Sequence, residues 1–163
     1  MKPLIDELDA RIIALFLEEP RIGVLGASRR LGIARATVQS RLDRLAEHGV
    51  IENWAPAIAP EHLGYPVTAF LTLEIRQDSG HERVSRHLSS IPEVIEASTI
   101  TGSGDLWCRV VARSNADLQR VIDSVVRFDS VERTSTVIAL STQLRRRVAP
   151  LVAAAAHPSD VTD

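Results

Sequence analysis

The sequence is poor in cysteine, aromatic residues and lysine, and it has no long apolar run. Cys108 is the single cysteine among 163 residues, which excludes an intramolecular disulfide and a thiolate metal cluster built from one chain. No stretch approaches the roughly 20 uninterrupted apolar residues that a membrane-spanning helix needs. The acidic start MKPLIDELDARI is unlike a signal peptide. We therefore expect a cytoplasmic protein that does not cross a membrane.

The charge of the chain is nearly balanced but unevenly placed. Nineteen basic and 21 acidic residues give a formal net charge of -2, which excludes a uniformly basic nucleic-acid-binding protein. Any contact with nucleic acid must then come from a local patch. Such a patch lies between Arg21 and Ala46, where six arginines occur and Asp43 is the only acid. With 45% hydrophobic residues, the chain can also bury a core.

Residues 25–51 contain two apolar-periodic segments on either side of a turn at residues 32–34. The inward positions are Ala27 and Leu31 in the first segment, and Val38, Leu42 and Leu45 in the second. Gly49 ends the second segment. Residues 6–18 form a preceding amphipathic helix. This is the helix-turn-helix pattern. The alternative is a helical hairpin whose charges only face water.

The second half of the chain has a different pattern of secondary structure. β-branched and aromatic residues mark strands, and apolar periodicity marks helices. The predicted elements are a strand at 67–75, a helix at 79–90, strands at 94–101 and 106–112, a helix after the N-cap Ser114, and a strand at 131–140. The order β-α-β-β-α-β is typical of the ferredoxin-like fold. The fold class is therefore α+β.

We predict four segments in the chain. They are a three-helix (winged) helix-turn-helix domain at 1–53, an extended linker at 54–66, a ferredoxin-like domain at 67–144, and a tail at 145–163. Val50 and Ile51 could begin a short strand of the first domain. The end of the tail, HPSDVTD, is expected to fray.

The sequence offers no constellation typical of an enzyme or a metal site. The five histidines lack ligand spacing such as His-x-x-x-His, and neither a P-loop nor a nucleophile elbow is present. We therefore predict no catalytic residues, no metal and no cofactor.

Five segments, in order, resemble the Lrp/AsnC (feast/famine) family of transcriptional regulators. They are LDARIIALFLEEPR, LGIARATVQSRLDRLAEHGVI, APEHLGYPVTAFLTLEI, TGSGDLWCRV and VERTSTVIAL. The resemblance extends from Ile5 to about Gln143. One departure is Ala34, which stands where the family usually has Ser or Thr as the N-cap of its recognition helix. An alanine in that position typically costs about 1 kcal/mol.

The second helix of the helix-turn-helix is expected to place its N-terminal half in the major groove. Side chains that point away from its apolar face form the predicted DNA-binding set: Arg35, Ala36, Thr37, Gln39, Ser40, Arg41 and Arg44. Arg35 could bind guanine and Gln39 adenine. Arg41 and Arg44 are expected to bind phosphates. The alternative for each arginine is a surface ion pair.

The resemblance also implies an amino-acid effector pocket, bordered by the Gly-x-Gly-Asp hairpin and located between dimers. The implied effector residues are Thr101, Gly102, Gly104, Asp105, Thr134 and Thr136. Backbone N–H groups of the glycines could hold a carboxylate, and Asp105 could hold an ammonium group. The alternatives are ordinary turn chemistry for the hairpin and sheet formation for the threonines.

The expected function is that of a sequence-specific, amino-acid-responsive transcriptional regulator. Its partners would be double-stranded DNA, an amino-acid effector, and further copies of itself, a dimer assembling to an octamer. One alternative is an enzyme of the same architecture, such as a sirohaem decarboxylase. The arginine-rich recognition helix argues against it, because such an enzyme has no need of one. A further alternative is an effector-binding module that has lost DNA binding.

Overall fold

The computed structural model describes residues 4–76 and 81–157, and the chain forms two compact units. The first comprises Met1–Pro56 and Leu144–Asp163, and the second comprises Ala57–Gln143. Residues 57–66, which we expected to form an extended linker, thus belong to the second unit and include a 3-10 helix at Pro60–Leu63. No helix in the described residues is long and apolar enough to cross a membrane.

Three helices build the first unit: α1 (Glu7–Glu18), α2 (Gly23–Leu31) and α3 (Arg35–Glu47). Helix α1 begins with a capping box, because Asp6 accepts from the Asp9 N–H and Asp9 accepts from the Asp6 N–H, both at 2.9 Å. Gly32, with φ +68°, ends α2 and turns the chain toward α3. Ala27, Val38 and Leu42, which the sequence predicts to face inward, meet Ile12 and Leu15 of α1 in one core. Leu31 packs against this core, whereas Leu45 lies in a second cluster with Ile5 and Ile13.

The two ends of α3 differ in how they are capped. Ala34 is the N-cap, and its side chain makes no capping hydrogen bond, as expected for alanine. At the C-terminal end, the N–H groups of Val50 and Ile51 both donate to the Leu45 carbonyl, at 2.9 and 3.2 Å. Because these donors complete the end of α3, Val50 and Ile51 form a bend and not the strand that the sequence suggested.

The C-terminal tail belongs to the first unit. Its helix α6 (Ala149–Ala156) packs on α1, and Val152 lies against Ile5, Ile13 and Leu45. The sequence predicts a separate tail at 145–163, but this apolar contact gives part of it a place in the fold. Residues 158–163, which we expected to fray, lie outside the described residues.

The second unit has the predicted ferredoxin-like fold. Its elements are β1 (Val67–Ile75), α4 (His81–Ser89), β2 (Val94–Thr99), β3 (Leu106–Ala112), α5 (Asn115–Val126) and β4 (Val131–Ile138). The strands form an antiparallel sheet in the order β2-β3-β1-β4. Ser114 caps α5 by accepting from the Asp117 N–H at 3.1 Å, as predicted. The first two residues of the predicted helix at 79–90 lie outside the described residues.

The sheet has one face covered by helices and one face without them. Leu71, Leu73 and Ile75 of β1 are buried in the core that includes Val84 of α4 and Val121 of α5. Alternate residues of a strand point to opposite faces. The other face therefore carries the even-numbered residues of β1.

On that other face, Phe70 stacks on Trp107 with ring centroids 5.3 Å apart. Val137, which pairs with Phe70 across the β1–β4 ladder, is 63% exposed. These three residues form an apolar patch on the helix-free face, which we call the open sheet face.

Candidate DNA-binding surface and effector pocket

Helix α3 has a buried side and an exposed side, as its apolar spacing predicts. Val38, Leu42 and Leu45 are buried. The predicted DNA-binding residues of its first two turns lie on the remaining surface: Arg35, Ala36, Gln39 and Ser40 are exposed, and Thr37 is half-buried. The Gln39 side-chain amide donates to Asp43 at 2.7 Å. The N-terminal half of α3 is thus a polar surface that the core leaves uncovered.

Arg41 and Arg44, which follow these residues on α3, make ion pairs with α1 and its N-cap. Arg41 Nη1 lies 2.6 Å from Asp6 Oδ1 and 2.9 Å from Asp9 Oδ1. Arg44 Nη2 lies 2.5 Å from Asp9 Oδ2. The hydrogen bond from Arg41 lowers the pKa of Asp6 to about 2. Both arginines expected to hold phosphates are therefore bound to carboxylates within the unit.

The acidic start of α1 is visible in the sequence, but its connection to α3 is not. Asp6 and Asp9 suit the positive end of the α1 dipole, but no local pattern indicates their partners on α3. Their contacts with Arg41 and Arg44 join residues 32 to 35 positions apart. The Asp-x-x-Asp spacing could have indicated the reciprocal cap, which places both carboxylates at one helix end, but not the arginines that they bind.

The hairpin between β2 and β3 needs its two glycines for different reasons. Gly102 has φ +118°, a conformation that other residues rarely adopt. Gly104 does not have a positive φ, but a Cβ there would lie 2.4 Å from Thr72 Cγ2 and 3.1 Å from the Leu73 carbonyl oxygen. Close approach to β1 therefore requires the absence of a side chain at residue 104.

Asp105 ties this hairpin to the end of β1. Its N–H donates to the Leu73 carbonyl at 2.9 Å, and its Oδ2 accepts from the Ile75 N–H at 2.8 Å. Its own carbonyl accepts from the Ile100 N–H at 3.0 Å across the hairpin. The carboxylate is therefore held in one place at the rim of the sheet.

An open depression of about 540 Å³ lies beside the hairpin. Its lining residues are Glu74, Ile75, Arg76, Gly102, Ser103, Gly104, Asp105 and Glu132. Three of the predicted effector residues, Gly102, Gly104 and Asp105, thus come together at its wall. The lining also includes charged side chains, Glu74, Arg76 and Glu132, that were not among the predicted effector residues.

The other three predicted effector residues do not line this depression. Thr134 and Thr136 pair with Leu73 and Leu71, so they share the helix-facing side of the sheet. Thr101 is exposed at the start of the hairpin.

The remaining lining residues were not predicted: Glu74, Ile75, Arg76, Ser103 and Glu132. The ferredoxin-like strand order pairs β1 with both β3 and β4. The end of β1 and the start of β4 could therefore have been placed beside the hairpin from the topology alone.

The described residues contain no group of three or more His, Cys, Asp or Glu side chains arranged to hold a metal ion. Cys108 is buried in the sheet, and burial raises the pKa of its thiol to about 11. It therefore stays a neutral core residue at ordinary pH.

Comparison with known proteins covers nearly the whole chain. A family model described as the Lrp/AsnC ligand binding domain matches residues 68–149, and one described as winged helix-turn-helix DNA-binding matches residues 5–52. The HTH-type transcriptional regulator FL11 of Pyrococcus furiosus is 29% identical over 140 residues, which cover 86% of this chain and 92% of FL11. This relative is named a transcriptional regulator, which is the function predicted from the sequence. It also agrees with the prediction that the protein is not an enzyme.

Solved structures agree with these sequence matches. The structure of E. coli AsnC matches with a TM-score of 0.80 and 26% identity, over 90% of this chain and 99% of that one. A feast or famine regulatory protein from M. tuberculosis, complexed with L-methionine, matches with a TM-score of 0.77 and 25% identity. That match covers 87% of this chain and 96% of the mycobacterial one.

Proposed function

The chain belongs to the Lrp/AsnC family of transcriptional regulators, and from this premise we propose a function for each of its two units. The helix-turn-helix unit reads double-stranded DNA in the cytoplasm with the exposed side of α3. The second unit binds an amino acid beside the β2–β3 hairpin and assembles the protein into dimers and larger oligomers. The observation that carries the proposal is the polar, uncovered N-terminal half of α3 in a chain with a matched ligand-binding unit.

DNA recognition is assigned to the first two turns of α3. Arg35 and Gln39 are exposed one turn apart, so both can reach the same groove. Arg35 suits guanine O6 and N7, and Gln39 suits adenine once its amide turns from Asp43. Ala36, Thr37 and Ser40 lie between or beside them and allow close approach to base edges and phosphates.

Effector binding is assigned to the depression beside the hairpin. A free amino acid needs donors for its carboxylate and acceptors for its ammonium group. The backbone of residues 102–104 carries N–H groups, and Gly102 and Gly104 bring no side chain to crowd them. Asp105, fixed through Oδ2 by Ile75, offers Oδ1 to the ammonium group. The L-methionine complex of the mycobacterial relative supports an amino acid as the ligand class.

Assembly is assigned to the open sheet face. A single sheet with helices on one side leaves its other face to be covered by a second layer. The stacked pair Phe70 and Trp107, with the exposed Val137 beside it, gives that face an apolar centre. A second copy joined by a two-fold axis would cover it, and the two helix-turn-helix units would then match palindromic half-sites.

The test is a selection of bound duplexes from a random DNA pool, with and without each of the twenty amino acids. We expect a palindromic consensus, and we expect at least one amino acid to change its enrichment. Calorimetric titration of that amino acid into wild type and Asp105→Asn then tests the pocket. Loss of a buried, charge-assisted contact should weaken binding by roughly 1.5–3 kcal/mol. No consensus would contradict the DNA assignment, and equal affinity in the variant would remove Asp105 from the site.

A further inference from the structure

The ion pairs between α1 and α3 have an unusual partner in Asp9, which is a fully buried carboxylate. Asp9 is 0% exposed, and it accepts from the Asp6 N–H, from Arg41 and from Arg44. Asp6, at the surface, also accepts a hydrogen bond from Arg41. The side chains of Arg41 and Arg44 remain 26% and 45% exposed. The guanidinium groups of two arginines on the proposed DNA-reading helix are thus bound to carboxylates, although their side chains are partly exposed to solvent.

We propose that Asp6 and Asp9 form an acidic clamp that withholds Arg41 and Arg44 from the DNA phosphates and sets the position of α3 on α1. Asp9 is then a positioning residue for DNA recognition. This inference rests on the proposed DNA-binding function of α3. It assigns to the two arginines a role that differs from the phosphate contacts expected from the sequence.

The cost of leaving a buried charge unpaired keeps the clamp closed. If Arg41 and Arg44 turned toward DNA, the Asp9 carboxylate would be left in the core without a cation, which is strongly unfavourable. A phosphate at the surface, which is already solvated and screened by salt, cannot offset that loss. The hydrogen bond from Arg41 to Asp9, at 2.9 Å, is in the range of charge-assisted hydrogen bonds, and Arg44 donates to the same carboxylate.

The clamp has a consequence for specificity. Non-specific affinity for DNA grows with the number of phosphates that basic side chains neutralise, whatever the base sequence. Two arginines already neutralised by aspartates add little to that number. The free energy of binding then depends more on the base-facing residues of α3, such as Arg35, and the ratio of specific to non-specific binding rises.

The salt dependence of binding to a random-sequence 30-base-pair duplex tests the clamp in the full-length chain. The slope of log K against log salt steepens by about 0.9 for each phosphate that the protein neutralises. We expect Asp9→Asn to steepen the slope by the equivalent of one to two phosphates and to raise affinity for the random duplex. Glu7→Gln, an exposed acid in the same turn of α1, is the control for the equal change in net charge. A slope for Asp9→Asn equal to that of Glu7→Gln would overturn the clamp.

A second pair of variants decides the question even if Asp9→Asn fails to fold. Arg44→Gln leaves Asp9 paired with Arg41, and we expect it to keep the wild-type salt slope. Arg35→Gln should make the slope shallower, by up to the equivalent of one phosphate. A slope for Arg44→Gln that is shallower by a full phosphate equivalent would show that Arg44 binds phosphate, and the clamp would be wrong. Absence of any wild-type binding to duplex DNA in low salt would instead reject the proposed function itself.

Discussion

Gly104→Ala should destabilise the second unit through one identifiable collision. The new methyl group would lie 2.4 Å from Thr72 Cγ2, whereas ordinary van der Waals contacts begin near 3.4 Å, so one of the two groups must move by about 1 Å. The Leu73 carbonyl, 3.1 Å away, already accepts from Asp105 and cannot yield. Overpacking of this kind typically costs about 1–3 kcal/mol. We expect a cost at the lower end of this range if the Thr72 side chain rotates, and at the upper end if the β1 backbone shifts.

The collision predicts a rescue. Thr72→Ser removes Cγ2, so the double variant should regain at least about 1 kcal/mol relative to the sum of the two single changes. Urea unfolding followed by tryptophan fluorescence is a suitable measurement. In a Trp54→Phe background, the signal comes from Trp107, which lies in the same sheet. A cost below about 0.5 kcal/mol for Gly104→Ala, within the usual range for harmless surface changes, would refute the packing argument.

Gly102→Ala is the matched control for this experiment. A Cβ at residue 102 would meet no atom within 4 Å, but the backbone φ of +118° is strained for alanine. A cost of about 1–3 kcal/mol is expected from strain alone. Thr72→Ser should therefore add to Gly102→Ala without any rescue. Rescue of both glycine variants would mean that the serine acts through something other than the collision.

Three further predictions concern the cap, the charges and the assembly. Ala34→Ser should supply the missing N-cap acceptor of α3 and raise the free energy of unfolding by about 1 kcal/mol; an unchanged melting temperature would show that the cap is not limiting. Because the folded pKa of Asp6 is lowered to about 2, its stabilising contribution is present above about pH 4 and lost as the pH falls toward 2. Asp6→Asn should therefore flatten that part of the stability profile measured by urea unfolding, and an unaltered profile would contradict the pairing with Arg41. Val137→Glu should place a charge on the open sheet face and shift sedimentation toward the monomer, whereas an unaffected oligomer would exclude that face.

The sequence predicted those features that depend on local patterns. The 3.6-residue spacing of Val38, Leu42 and Leu45 located α3, and the β-branched run at 67–75 located β1 with both ends correct. Alternation along β1 separates Leu71, Leu73 and Ile75 from the residues between them, but only the structure shows that this set is the buried one. The two elements could be predicted because one periodicity fixes both the element and the residues that share one of its faces.

Features that depend on distant parts of the chain could not be predicted in this way. The bonds from Asp9 to Arg41 and Arg44 join two helices, and charge spacing within either helix carries no sign of them. Glu132 reaches the depression only because β4 pairs with β1. The packing of α6 on α1 includes the contact of Val152 with Ile5, Ile13 and Leu45, which an alanine-rich segment does not reveal.

The packing of α6 on α1 also determines when the first unit can finish folding during synthesis. The chain emerges from the ribosome N-terminus first, so α1, α2 and α3 are available long before Val152 is made. Ile5, Ile13 and Leu45 then lack their last apolar neighbour until translation has passed the whole second unit. The unit formed by the first helices is thus completed by residues made after the second unit. A stop codon just before α6 would leave the second unit whole and damage the DNA-reading unit.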